Sequence, residues 1–430
     1  MRLPSDISSL GWCEPSLSRE VVASRNKIRR SSGGVSISDD GTPKRLRIGI
    51  TTSVIQRGKT GVAQYVFALV RALVAQADEH EFTLFVLEED LPLFEFAATK
   101  MKIVPIAEKW RPAVKNILWH QAVLPGIAKK LKLDVLHVPS YRRMMWRKPC
   151  AIVSTIHDLA PFHVKAKYDP LRMFYGRVVV KRLARRQDGI IAISTNTAQD
   201  IERFFGIPVG KQNVILNGLD HGRFAPSKDD ADKSSVGLRW GLEQPFFLYV
   251  SRLEHPGKNH VRLIEAFNRF KAATGSPWLL ALGGSDWHGA EVIRAAAKAS
   301  PYSKDIRFLG FVDDAALPDL YRAAGAFVYP SLFEGFGLPP IEAMACGCPV
   351  ISSTRGSLDE VVGDAALRIA PEKIEDITFA LMQTSMDGDK RDALISAGLQ
   401  NATRFDWSAN AERVMEVYAR AAEMNRAGRA

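Results

Sequence analysis

The fold class this sequence predicts is α/β: two Rossmann-like domains whose parallel sheets face a central cleft. Three observations predict it. Short apolar runs alternate with helically spaced stretches along nearly the whole chain, as in sheets buried on both faces. A glycine-bearing turn joins the first such run to its helix, the opening unit of a doubly wound fold. The alternation stops once, at a polar segment near the middle, and restarts over a similar length. A chain of 430 residues accommodates two or three domains, and 46% apolar with 24% charged residues is a globular balance.

The first 44 residues hold ten serines, seven basic and five acidic residues, with loop chemistry at Ser31-Ser32-Gly33-Gly34 and Asp39-Asp40-Gly41. The acids argue against an organelle transit peptide, and residues 1–45 read as a flexible extension. Order begins at Leu46, where Leu46 to Ile50 alternates as a strand. Gly58 to Gly61 forms the turn, and Val62 to Gln76 is helical, with Val62, Val66, Leu69, Val70 and Leu73 on one stripe. Further strands are expected over 82–87, 135–138, 152–156 and 189–193, completing an N-terminal domain over 46–226. Ser227 to Ser235 lacks large apolar residues and places a linker over 227–243. Strands at 246–250, 278–282, 306–309, 326–329 and 349–352 then build a C-terminal domain over 244–408. A long helix, Ala409 to Met424, ends the pattern.

The most informative stretch runs from Phe327 to Ile351. A strand ends at Pro330, and a loop places Glu334 before Gly335 and Gly337. Pro339-Pro340 sits where a helix starts, Glu342 is expected in its first turn, and Gly347 can end it in a left-handed cap. Glycines let backbone amides approach a ligand, and a helix N-terminus favours an anion. Two acids beside a phosphate-friendly loop make sense if they bind hydroxyls. A nucleotide sugar, with a diphosphate between ribose and hexose, offers both groups.

The run Pro330-Ser331 … Glu334-Gly335-Phe336-Gly337-Leu338-Pro339 … Glu342-Ala343-Met344-Ala345-Cys346-Gly347 resembles the Glu-x7-Glu motif of the retaining glycosyltransferases of family 4, the group 1 enzymes with the GT-B fold. Other segments match in order. Ser251-Arg252 … Lys258-Asn259 is similar to the family's phosphate-clamping Arg and Lys, cations that neutralise charge on a departing diphosphate. Lys59-Thr60-Gly61-Val62 resembles the N-domain glycine loop, which usually carries two adjacent glycines where this chain has Thr60 and Gly61. His157-Asp158-Leu159 matches the active-site histidine near the donor sugar, and Gly310-Phe311-Val312 the segment whose backbone holds the nucleotide base. Ser194 reads as a helix cap, and Asn217-Gly218 as a turn. The resemblance covers roughly Leu46 to Trp407 and implies that the final helix, 409–430, crosses back onto the N-terminal domain.

The resemblance implies transfer of a hexose with retention. Arg252 and Lys258 hold the leaving group, Glu334 binds the hexose, Glu342 binds the ribose hydroxyls and His157 orients the sugar. Thr60, Gly61, Gly335, Phe336, Gly337 and Leu338 complete the donor site. The donor is a GDP- or UDP-hexose, with GDP-mannose placed ahead of UDP-glucose. The acceptor is a saccharide, favoured as polyprenyl-diphosphate-linked, in exopolysaccharide or lipopolysaccharide synthesis. No cofactor and no metal are expected: Asp230-Ala231-Asp232 lies in a polar linker, not after an apolar strand. A nucleic-acid binder, or a GT-B scaffold or nucleotide-sugar isomerase, are the competing readings. The first has no recognisable module, and the second sits poorly with both acids and both cations in place.

The net charge is +11, from 58 Lys and Arg against 47 Asp and Glu, and it is concentrated in the N-terminal half. Within it, Arg111 to Lys132 sets Trp119 and several aliphatic residues among basic ones, a pattern suited to an anionic membrane surface. No apolar run reaches the roughly 20 residues of a membrane span. Four irregularly spaced cysteines fit a reducing cytoplasm, with peripheral association on the inner face of the cell membrane.

Overall fold

The computed structural model describes residues 45–58, 60–163, 175–227 and 231–428. The extension expected over 1–45 lies, but for Arg45, outside the described residues, as do Lys59 and Asp230. Two sheets organise the rest. The first contains β1 (Arg47–Thr51), β2 (Glu81–Leu87), β3 (Lys102–Ile106), β4 (Val135–Val138), β5 (Ala151–Ile156), β6 (Gly189–Ala192) and β7 (Asn213–Val214), in the order β3-β2-β1-β4-β5-β6-β7. The second contains β8 (Phe246–Val250), β9 (Leu279–Gly283), β10 (Ile306–Gly310), β11 (Ala326–Tyr329), β12 (Val350–Ser353) and β13 (Leu367–Ile369), in the order β10-β9-β8-β11-β12-β13. Every pairing is parallel. Both orders reverse beside the first strand, between β1 and β4 and between β8 and β11. Crevices open at such switch points, beyond the carboxyl ends of the strands.

Three strands, β3, β7 and β13, carry no clear pattern in the sequence, and all three are sheet edges. Half-exposed edges lose the apolar run that marks a central strand. β3 even contains Pro105, which an edge tolerates because one row of its backbone amides needs no partner. By contrast β4 and β5 are buried at every position.

Two segments differ from expectation. Arg111 to Lys132 folds as a helical run from Ala113 to Lys130 with a π-type turn at Trp119–Val123. Trp119 is only 2% exposed and packs on Phe85 with ring centroids 6.1 Å apart. It is a core residue and cannot anchor a membrane; Val114 and Leu118 are the exposed apolar side chains there. The segment 227–243 contains a helix, Ala231–Trp240; Val236 and Leu242 are buried in the main core and Trp240 packs against it, so a few apolar residues anchor a mostly polar stretch.

The C-terminal helix, Trp407–Ala427, is capped by Asp406, whose side chain accepts from the Ala409 amide at 2.7 Å. It lies against β4, β5 and β6 and against the helix Gly61–Val74. Asn410 donates to the Leu216 carbonyl at 2.7 Å, Arg413 to the Val214 carbonyl at 2.7 Å, and Arg426 to Asp134 at 2.8 Å. The last helix of the chain is thereby stitched to the first sheet. No helix among the described residues is long and apolar enough to cross a membrane.

Candidate active site

The loop after β8 and the loop after β11 meet at the switch point of the second sheet. Lys258 Nζ lies 2.5 Å from Glu334 Oε1, and the two side chains are only 16% and 15% exposed. The Tyr329 hydroxyl, at the end of β11, donates to the same carboxylate oxygen at 2.9 Å. Tyr249, at the end of β8, donates to the Lys258 carbonyl at 2.6 Å. Asn259 takes a left-handed conformation (φ 63°) and donates to the carbonyls of Pro330 at 3.0 Å and Pro371 at 2.7 Å, locking the two loops together. Arg252 remains at the surface. Its guanidinium sits 4.9 Å over the Trp287 ring and 3.2 Å from the buried carboxylate of Glu254. The Ser357 hydroxyl clasps the backbone of the Glu334 loop, donating to the Glu334 and Phe336 carbonyls at 3.0 and 2.8 Å.

The helix Leu338–Ala345 follows Gly337, whose φ of 101° suits glycine and whose Cα faces Leu358 so closely that a β-carbon would lie 2.4 Å from it. Since the helix begins at Leu338 and prolines fill its first turn, Glu342 stands in the second turn, not the first as the sequence suggested. Gly347 ends it with φ 75°, and Cys348 N bonds back to the Ala343 carbonyl at 2.9 Å. Tyr321 donates to Glu342 Oε2 at 3.1 Å. Burial pushes the Glu342 carboxyl up to about 7, against the opposing influence of the Tyr321 bond and of Arg223. A cavity of about 440 Å³ opens beside it, lined from both halves by residues including Gln64, Arg71, Arg223, Leu338, Glu342 and Trp407. Gly310 has φ 68° at the end of β10, and open space lies over its Cα; Phe311 is 71% exposed while Val312 is buried.

In the first sheet, Thr60 caps the helix Gly61–Val74: its hydroxyl accepts from the Ala63 amide at 3.2 Å. This gives the physical reason for a threonine in the glycine loop. Nothing lies within 4 Å of where a β-carbon on Gly61 would stand, so the backbone there is open to approach. His157 follows β5. Its Nε2 lies 3.1 Å from the Pro139 carbonyl, which only accepts, so Nε2 carries the proton and Nδ1 keeps the lone pair. Burial holds the imidazole down to about 4 and hence neutral near pH 7. Burial also raises the neighbouring Asp158 carboxyl, on which the charges of Glu334 and Lys258 act as well.

The two halves touch at Gly335. A methyl group there would lie 2.6 Å from the His157 carbonyl oxygen and 2.8 Å from the Asp158 β-carbon. Ser194 caps the helix Thr195–Asp200 and also donates to the Gly335 carbonyl at 3.3 Å; Thr195 binds Glu360 through amide and hydroxyl at 2.8 and 2.7 Å. The site residues read from the sequence thus lie in the loops and helix starts that follow strands of both sheets, from the switch points out to the edge strand β10. Lys258, Glu334, Gly335 and His157 form one continuous wall. Arg252 and the Gly310–Val312 segment stand apart from that wall; Glu342 lines the cavity beside the helix Gly61–Val74, at whose start Thr60 and Gly61 stand. Tyr249, Tyr321, Tyr329, Glu254 and Glu360 went unread because a lone tyrosine or acid carries no motif.

Two Rossmann-order sheets with such a wall between them define a GT-B protein. The chain carries the domains of two glycosyltransferase families: the model for glycosyl transferases group 1 matches residues 230–421, and that for glycosyltransferase family 4 matches residues 59–223. It is 27% identical over 394 residues to O-antigen chain mannosyltransferase B of Escherichia coli, covering 87% of this chain and 99% of that protein. It is 31% identical over 280 residues to the serotype-specific mannosyltransferase WbdA of Escherichia coli, covering 63% of this chain and only 34% of that longer protein. The crystal structure of Anabaena HepE in complex with UDP and glucose superimposes with a TM-score of 0.69 at 19% identity, over 86% of this chain and 99% of that one.

Proposed function

We propose that this GT-B glycosyltransferase is a retaining mannosyltransferase that uses GDP-mannose and extends a lipid-linked saccharide during surface-polysaccharide synthesis. The observation that carries the transfer reading is the Lys258–Glu334 pair set against the His157 loop at the switch points of both sheets. The mannose reading is supported by the O-antigen mannosyltransferases among its relatives. In this reading the acceptor hydroxyl oxygen bonds to the anomeric carbon from the face the diphosphate leaves. The carbon–oxygen bond to the diphosphate breaks through an oxocarbenium-like state, and the departing phosphate oxygen takes the hydroxyl proton. Arg252 and Lys258 stabilise the charge on the leaving group. Glu334 receives hexose hydroxyls, Glu342 the ribose hydroxyls, and His157 orients the sugar. Thr60, Gly61, Gly335, Phe336, Gly337 and Leu338 offer backbone to the diphosphate, and Gly310, Phe311 and Val312 flank the base.

A thermal-shift panel of nucleotides and nucleotide sugars tests the donor, since selective ligands raise the melting temperature by mass action. GDP and GDP-mannose are expected to stabilise the chain more than UDP and UDP-glucose; stabilisation by neither set removes the donor reading. The panel also tests Glu342. Ribose hydroxyls donate more strongly to the ionised carboxylate than to the neutral acid, and the ionised fraction in the free protein grows as pH rises through about 7. Donor affinity is therefore expected to rise between pH 6 and 8, by at most about tenfold per pH unit on the acid side. Affinity that is flat across that window removes Glu342 from the ribose site.

The basic N-terminal half supports a further element, docking on an anionic membrane. With Trp119 in the core, a tryptophan exposed on this half is Trp146, 53% exposed, with the Arg186 guanidinium 5.0 Å over its ring. They line a concavity of about 760 Å³ together with Lys129, Arg147 and Lys148. These residues precede β4, β5 and β6, which places the concavity at the amino ends of these strands, opposite the cleft. Flotation with vesicles rich in phosphatidylglycerol is expected to fall on Arg186→Glu; flotation that ignores anionic lipid content removes the membrane.

A further inference from the structure

A chain of buried hydrogen bonds joins four elements distant in sequence. The Tyr418 hydroxyl, on the C-terminal helix, lies 2.7 Å from His137 Nδ1. His137 Nε2, on β4, lies 2.8 Å from Thr155 Oγ1 on β5, and that hydroxyl lies 3.1 Å from the Tyr65 hydroxyl on the helix Gly61–Val74. All four side chains are buried. Burial drives the His137 imidazole down to about 3 and the Tyr65 phenol up to about 12, so the chain is uncharged at neutral pH. Each member has a hydrogen-bonding partner, and hydrogen-bonded hydroxyls in such chains polarise one another.

The far end of this chain is not structural filler. The Tyr65 ring meets the His157 ring edge-on, with centroids 4.7 Å apart and planes at 79°. The same ring meets Trp407, at the start of the C-terminal helix, at 5.8 Å. Trp407 and Tyr418 lie about three turns apart and so share a face of that helix. Tyr65 thus reads the seating of the C-terminal helix twice, directly through Trp407 and along the hydrogen-bond chain through Tyr418. His157 itself has one fixed polar partner at its ring, the Pro139 carbonyl, which sets the tautomer but leaves the ring free to tilt about that bond. The edge of Tyr65 removes that freedom.

We propose that Tyr65 is a positioning residue that fixes the plane of His157 and couples it, through Thr155 and His137, to Tyr418 of the C-terminal helix. The proposal rests on His157 belonging to the site, but not on the identity of the donor. Because the last helix is packed on the first sheet while its entry follows the second domain, any shift between the halves that disturbs this helix is felt at His157.

The test reads His157 without turnover. In the full chain labelled with 15N-histidine, the His157 imidazole signals are assigned by their loss in His157→Gln. They are expected to report the Nε2-protonated tautomer set by Pro139 in both chains, and to shift and broaden in Tyr65→Leu as the ring gains freedom to tilt. Tyr65→Phe and Tyr418→Phe, which keep the rings and break the chain, are expected to shift the signals alike, and the double Phe variant no further than either alone. In transfer assays these Phe variants are expected to lose about tenfold in kcat with donor KM within about twofold, as loss of orientation predicts. Unchanged His157 signals in Tyr65→Leu overturn the positioning role. Signals that move in Tyr65→Phe but not in Tyr418→Phe, or additive losses in the double variant, overturn the coupling. Should Tyr418→Phe not fold, Thr155→Val breaks the chain at its centre. Absence of transfer from GDP-mannose in the unsubstituted chain, with the His157 signals of the variants behaving as expected, overturns the donor reading and leaves the positioning role standing.

Discussion

Lys258→Ala is expected to lower the rate of transfer by at least about 10²- to 10³-fold, the range seen when one preorganised donor to a developing negative charge is removed. The lysine is the group best placed to exert such an effect. It sits at the end of a loop whose backbone is tied down by the Tyr249 hydroxyl and the Asn259 side chain, and its ammonium is held against Glu334 at 2.5 Å. A cation fixed in this way costs no reorganisation when a leaving diphosphate gains charge. The substitution also strands Glu334, a carboxylate only 15% exposed, with Tyr329 as its remaining close partner. That loss is expected to cost about 1–3 kcal/mol of stability, less than for a fully buried pair because the site opens on the cleft. Glu334→Gln separates the two effects, since it removes the acid without leaving a buried charge of that sign. Both variants are expected to melt as single cooperative units and to transfer poorly. Near-normal turnover in a folded Lys258→Ala protein would remove the lysine from the leaving-group site and, with it, the main support for the transfer chemistry.

Much of this arrangement was legible in the sequence because the relevant residues are clustered there. Glu334 to Glu342 is one continuous loop and helix start, and the fold sets it at a strand end simply because a strand, Ala326–Tyr329, precedes it. Central strands were visible for the same reason: buried on both faces, they are short continuous runs of mostly apolar residues. Edges such as Lys102–Ile106 and Leu367–Ile369 lack that constraint and were missed. The helix over Arg111 to Lys132 shows the limit of composition. Its tryptophan reads as an amphipathic anchor until the fold turns it toward Phe85. The chain from Tyr418 to Tyr65 was beyond reach altogether. Its four members are each an isolated polar residue in an apolar element, and only the crossing of the last helix onto the first sheet brings them into contact.

Gly335→Ala is expected to have the second largest effect, and for a reason the sequence states only in part. Read in the motif, Gly335 lets backbone approach a phosphate. In the fold it does something further: it lets one half of the molecule approach the other. An added methyl would lie 2.6 Å from the His157 carbonyl oxygen and 2.8 Å from the Asp158 β-carbon, contacts that neither a backbone carbonyl nor a β-carbon can relieve by rotating away. The carbonyl of Gly335 is meanwhile held from the first domain by the Ser194 and Thr197 hydroxyls at 3.3 and 3.4 Å, so the loop is pinned on one side and crowded on the other. Overpacking of this kind typically costs about 1–3 kcal/mol. Its kinetic cost is expected to be larger, because the methyl drives Glu334 and His157 apart, and a misplacement of about 1 Å at reacting groups can cost about 10²-fold. A drop in kcat of that order, with a modest fall in melting temperature, is the expected result. Full activity in Gly335→Ala would mean that the wall joining Glu334 to His157 is not the arrangement in which transfer occurs. Gly61→Ala is the contrasting case, since nothing within 4 Å opposes its methyl and the residue opens a helix, where alanine is well tolerated. Stability is expected to survive there, so a loss confined to donor affinity isolates the contribution of backbone approach from that of domain contact.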